Sequence, residues 1–160
     1  MPKSLFIASL MAVSGITACA HLPTTSEPIT VTTAPLQAIS NTDFATTNTR
    51  LKTAIELRGL TLFTTVDHAA GAAKIGQDLA PNTLYIFGNP KGGTPLMLAN
   101  PALGLDLPLK ANVREQDGQV LITVTDIRTI TASAGVSEPA QVIANIEGAL
   151  NAIMTEAAGG

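Results

Sequence analysis

Two runs of alternating apolar and polar residues meet at Asp117-Gly118, and that pairing restricts this chain more than any other feature. Leu107, Leu109, Ala111 and Val113 alternate with Lys110, Asn112 and Arg114, and beyond the turn Val120, Ile122 and Val124 keep the same period of two. That period puts the apolar residues on one face of a strand, while Asp-Gly suits the positive φ of a two-residue hairpin turn. The result is an antiparallel hairpin with one wet and one dry face, and the dry face needs a cover. The C-terminus offers one. Val142, Ile143, Ile146, Leu150, Ile153 and Met154 form a single stripe at helical spacing, with Ser137 as the expected cap and Pro139 in the first turn.

The remaining segments extend this plan. Leu36 to Ser40 reads as a first strand. Asn41, Thr42 or Asp43 caps a helix that sends Leu51, Ala54, Ile55 and Leu57 to the core and ends at Gly59. Leu60 to Asp67 reads as a strand with Leu60, Leu62 and Val66 on one face, followed by an Ala/Gly-rich helix from Ala69 to Leu79 and a turn at Pro81-Asn82. Thr83 to Phe87 is apolar on both faces and hence central. This order specifies an α+β class: a single-domain sandwich with a mostly antiparallel sheet and helices packed on one face. The expected domain covers residues 36–157, with 158–160 as a tail.

The first residues read as an export signal. Lys3 precedes an apolar run from Leu5 to Ile16, and Ile16-Thr17-Ala18-Cys19 resembles the lipobox of bacterial lipoproteins. On that reading 1–18 is a signal peptide and Cys19 carries the lipid, with several acyl chains holding the protein on a membrane. Ala20, in place of Asp, favours the periplasmic side of the outer membrane by resemblance to bacterial sorting rules. Residues 19–35 then form the anchor and a Thr/Pro-rich tether. Ordinary signal cleavage after Ala20 is the competing reading. Cys19 is the sole cysteine, so no intrachain disulfide forms.

Composition closes off other classes. A formal net charge of −3 without Lys/Arg clusters, and 3% aromatic residues, argue against a nucleic-acid partner. With only two histidines and a lipidated cysteine, a closed metal site lacks ligands, and no cofactor or metal is expected.

The segment Phe87 to Met97 (FGNPKGGTPLM) crowds three glycines and two prolines behind the central strand. Such a composition predicts a stiff irregular loop that presents bare backbone N–H groups. Asn89, Lys91, Gly92, Gly93 and Thr94 are therefore candidate contacts for a small polar or anionic ligand, with Lys110 closing the site and His68 at its rim. The alternative is a rigid turn that satisfies its own backbone. Asp67-His68 is a second candidate, since a carboxylate can orient an imidazole for general-base work. Its plainer reading makes Asp67 the cap of the following helix.

In order along the chain, GLTLF (Gly59 to Phe63), Asp67-His68-Ala69-Ala70, FGNPKGGTPLM and LDLPLK (Leu105 to Lys110) resemble the domain-of-unknown-function family 302 (DUF302). The resemblance covers most of residues 36–126. It implies a β-α-β4-α domain similar to one half of the TATA-box-binding-protein fold, often paired as a homodimer, and it implies no established activity. The expected function is a membrane-tethered periplasmic binding domain. One alternative is a hydrolase or isomerase with His68 as base and Asp67 orienting it. The other is a structural lipoprotein whose motif forms a homodimer seam around Leu96 and Met97.

Overall fold

The computed structural model describes residues 36–160. The signal peptide, Cys19 and the tether expected in the sequence lie outside the described residues. Five strands, β1 (Leu36–Ser40), β2 (Thr61–Asp67), β3 (Asn82–Gly88), β4 (Leu109–Gln116) and β5 (Gln119–Val124), form one sheet in the order β1-β5-β4-β3-β2. Every neighbouring pair is antiparallel. The helices are α1 (Phe44–Leu57), α2 (His68–Ala73), α3 (Pro90–Ala99), α4 (Ile127–Ser133) and α5 (Ala140–Ala158), with a short 3-10 turn at Pro101–Gly104. This is the α+β sandwich that the sequence specifies.

The hairpin forms as the alternation requires. Gln116 pairs with Gln119 across Asp117 (φ 52°) and Gly118 (φ 75°), both in the left-handed region. Leu109, Ala111 and Val113 are buried, as are Ile122 and Val124 of β5. Above them lie α1 and α5, which pack on each other and on the sheet. Leu150 and Ile153 of the α5 stripe are essentially inaccessible, beside Leu51 and Ile55 of α1. On the opposite face Arg114 donates to Thr123 Oγ1 (2.7 Å) and Gln37 Oε1 (3.2 Å), and the same face carries the aliphatic residues Ile39, Leu84 and Val66, so it mixes bonded polar groups with apolar ones.

Local chemistry sets the element ends, and several differ from the sequence reading. Asp43 caps α1 by accepting from Thr46 N at 2.9 Å, which holds its carboxyl below the usual range, and Gly59 (φ 63°) stops the helix. Leu57 is 77% exposed, because α1 buries Thr47, Leu51, Ala54 and Ile55 and Leu57 stands off that stripe. In β2 the pairing slips between Leu62 and Thr64. This bulge returns Val66 to the open face opposite Leu84, so Leu62 and Val66 do not share a face. The second helix ends at Ala73, well short of Leu79: it buries no residue, and Gly76 turns left-handed just beyond it. Ser137 does not cap α5; Pro139 occupies that position and the Glu138 carboxylate accepts from Ala140 N at 2.7 Å.

Helix α4 is absent from the sequence reading. Its signals are an Asp126 cap, bonded to Arg128 N at 2.9 Å, followed by the buried residues Ile127 and Thr131.

Candidate functional site

The largest departure concerns FGNPKGGTPLM. It is not an irregular loop. Phe87 and Gly88 end β3, Asn89 is a cap, and Pro90–Ala99 is helical. Pro90 suits the first helical position, but Gly92, Gly93 and the internal Pro95 are poor helix formers. Tertiary packing outweighs propensity here: Leu96 is 0% exposed, and α3 leans on α5.

The helical form settles where the amides go. Lys91 N donates to Asn89 Oδ1 at 2.9 Å, and Gly92 N and Gly93 N both donate to Asn89 O at 3.0 and 3.1 Å. The bare-amide cradle expected for an anion is therefore corrected: its donors already have partners within the turn. Lys110 is engaged too. Its ammonium donates to Asp106 O (2.6 Å) and Pro108 O (3.1 Å), pinning the segment that leads into β4. Lys91 is exposed.

A different feature occupies this end of the fold. Beside the first turns of α3 lies a cleft of about 350 Å³, within the range of small-molecule sites. One wall is the end of β3 and the start of α3: Gly88, Asn89, Pro90, Gly92, Gly93, Thr94 and Met97. The facing wall is Leu107, Pro108 and Leu109, with Leu60 and Phe63 on one side and Ile146 of α5 on the other. The β2 bulge falls at Phe63, a 53% exposed ring at this cleft.

The glycines give the cleft its depth. A Cβ at Gly92 would lie 3.5 Å from Ile146 Cδ1, and one at Gly88 would lie 3.5 Å from Pro108 Cβ.

Of the residues expected to bind ligand, Asn89, Gly92, Gly93 and Thr94 line the cleft, while Lys91, Lys110 and His68 do not. Leu60, Phe63, Met97, Leu107, Pro108, Leu109 and Ile146 were missed. The Leu107-Pro108-Leu109 run was visible as an apolar stretch, but nothing in sequence separated it from core. The lining's polar side chains are Asn89 and Thr94. Both ends of the Asn89 amide are already bonded, the Nδ2 donating to Gly59 O at 3.3 Å. Thr94 is exposed and its hydroxyl makes no hydrogen bond among the described residues.

Asp67 and His68 do not form an oriented pair. The Asp67 carboxylate accepts from Ala70 N at 2.9 Å as the cap of α2, and His68 is exposed in the first helical position. Of the two residues expected at a dimer seam, Leu96 is sealed in the core and Met97 lines the cleft. Among the described residues no cluster of three His, Cys, Asp or Glu side chains could hold a metal ion. No described helix is long and apolar enough to cross a membrane.

A family model described as "Domain of unknown function DUF302" matches residues 36–155. The crystal structure of an uncharacterized conserved DUF302 protein from Bacillus stearothermophilus superposes with a TM-score of 0.70 at 19% identity. It covers 76% of this chain and 96% of its own, a likeness of fold. Among curated proteins, Fluoride-specific ion channel FluC 1 of Brucella suis is 49% identical over 69 residues, 42% of this chain and 27% of that protein. The Brucella abortus FluC 1 matches at the same identity with 26% of its length covered. The chain thus spans about a quarter of the curated relatives it matches.

Proposed function

This chain belongs to the DUF302 family, and we propose that it is a binding module which takes a small, mostly apolar molecule into the cleft between α3 and the Leu107–Leu109 segment. The carrying observation is the lining: glycine backbone and aliphatic, thioether and aromatic side chains, with polar groups confined to Asn89 and Thr94. This replaces the polar or anionic ligand expected in the sequence. An anion entering the cleft would lose its hydration and find no free cation among the lining residues.

The binding reading extends to location. A lipobox ending at Cys19 supports a lipid-anchored protein on the periplasmic side of the outer membrane. The similarity to named fluoride channels supports work at a membrane as well. It does not extend to fluoride as ligand, because the first-turn amides of α3 are occupied. Homodimer formation is part of the proposal, with β2 as the seam: it is an edge strand, carries exposed Phe63 and Val66, and contains neither Lys nor Pro.

Native mass spectrometry of the protein purified from its own host tests these points together. The expected spectrum shows acyl mass on Cys19, a dimer, and a retained lipophilic molecule. Ligand-free protein that also fails to bind the neutral dye Nile red would refute the binding reading.

A further inference from the structure

Resting on the cleft as a binding site, we infer that its natural ligand is a neutral, single-chain amphiphile whose head group exchanges one hydrogen bond with Thr94. Three observations converge. The walls offer apolar contact along their length, from Phe63 and Met97 to Ile146, and the glycines let a chain lie directly against backbone. A threonine hydroxyl can both donate and accept, and the Thr94 hydroxyl is unpaired among the described residues. Among the described residues no charged side chain lines the cleft. The Lys110 ammonium is held by Asp106 O and Pro108 O, Asn89 is tied to the α3 cap, and the exposed Lys91, between Pro90 and Gly92 in sequence, is not among the lining residues.

Charge of either sign is therefore penalised. A carboxylate or phosphate head drawn in among the walls would be dehydrated with no lining cation to receive it, and an ammonium head would find no lining carboxylate. An alcohol, amide or ester escapes both penalties. The chain then sets affinity: each methylene withdrawn from water strengthens binding roughly fourfold until the cleft is full.

Displacement of Nile red from the intact protein tests the class. Decanol, decanoate and decyltrimethylammonium share one chain and differ in head charge at pH 8. Decanol is expected to displace the dye at a concentration at least tenfold below either ion, with hexanol and octanol falling off along the methylene ladder. Thr94→Val should weaken decanol about fivefold, and Thr94→Ser should restore it. Decanoate or the ammonium matching decanol would overturn the neutral-head inference while the cleft stands as an apolar site. Unchanged decanol affinity in Thr94→Val overturns the head-group assignment. If no compound displaces the dye, or the dye itself does not bind, the cleft reading fails along with this one.

Discussion

Gly92→Leu should raise the stability of this protein while abolishing ligand binding, two effects of opposite sign from one substitution. Gly92 is the third residue of α3 and has ordinary helical backbone, so an L side chain meets no conformational penalty. Its Cβ would approach Ile146 Cδ1 at 3.5 Å, a normal contact and not a clash. Replacing glycine in a helix gains about 0.5–1 kcal/mol, fewer near the end than at the centre. Covering part of a leucine side chain in the cleft adds about 1 kcal/mol, against roughly 0.5–1 kcal/mol of lost rotamer freedom. The net expectation is about 1 kcal/mol, or roughly 3–5 °C in Tm for a domain of this size. The same side chain projects into a space of about 350 Å³ and removes the room a ligand would need. Calorimetry and Nile red fluorescence read the two effects on one sample. A variant that is more stable yet binds dye normally would show that the cleft is not the site. A destabilised variant would show that the wall beside Ile146 does not accept a side chain.

Three further outcomes are expected. The Tyr85 hydroxyl donates to Asn48 Oδ1 at 2.6 Å, and burial, with a smaller contribution from the Asp67 charge, pushes its pKa up to about 12. Its stabilising contribution is then complete below pH 10 and is lost as pH rises toward 12. Alkaline denaturation of wild type should exceed that of Tyr85→Phe by about 1–2 kcal/mol, allowing for screening. Glu156 binds Arg58, with Nη1 2.9 Å from Oε2, and this hydrogen bond holds the carboxyl below its usual range. The pair therefore contributes above the ordinary carboxylate pKa and fades as pH falls through the lowered one, so Glu156→Gln should lower Tm at pH 7 but not at pH 2. Mass spectrometry should find acyl mass on Cys19 of the mature wild type and none in Cys19→Ala, and a mature wild type without acyl mass would refute the lipid anchor.

Legibility in the sequence followed the locality of the signal. The β4–β5 hairpin and the α5 stripe repeat their periods over many residues, and each appears where expected. Helix α3 was hidden because Gly92, Gly93 and Pro95 argue locally against a helix, and only the burial of Leu96 decides otherwise. The β2 bulge has no local marker, yet it moves Val66 to the other face. The cleft was half visible. Asn89 to Thr94 sit in one conspicuous run, but Leu60, Phe63, Leu107 and Ile146 come together from three separated segments. The charged residues were conspicuous for their chemistry, and Lys110 is committed to its own loop.

Asn41 N donates to Ala158 O at 2.9 Å, and the Asn41 side chain reaches Gly159 O at 3.2 Å. A Cβ at the left-handed Gly159 would collide with that asparagine. The last helix thus finishes against the end of the first strand, and Leu36 lies only one five-residue strand away, roughly 14 Å. A side chain at Gly159 would push α5 off the junction of β1 and α1, so the last turn of the helix acts as a clasp on the edge strand.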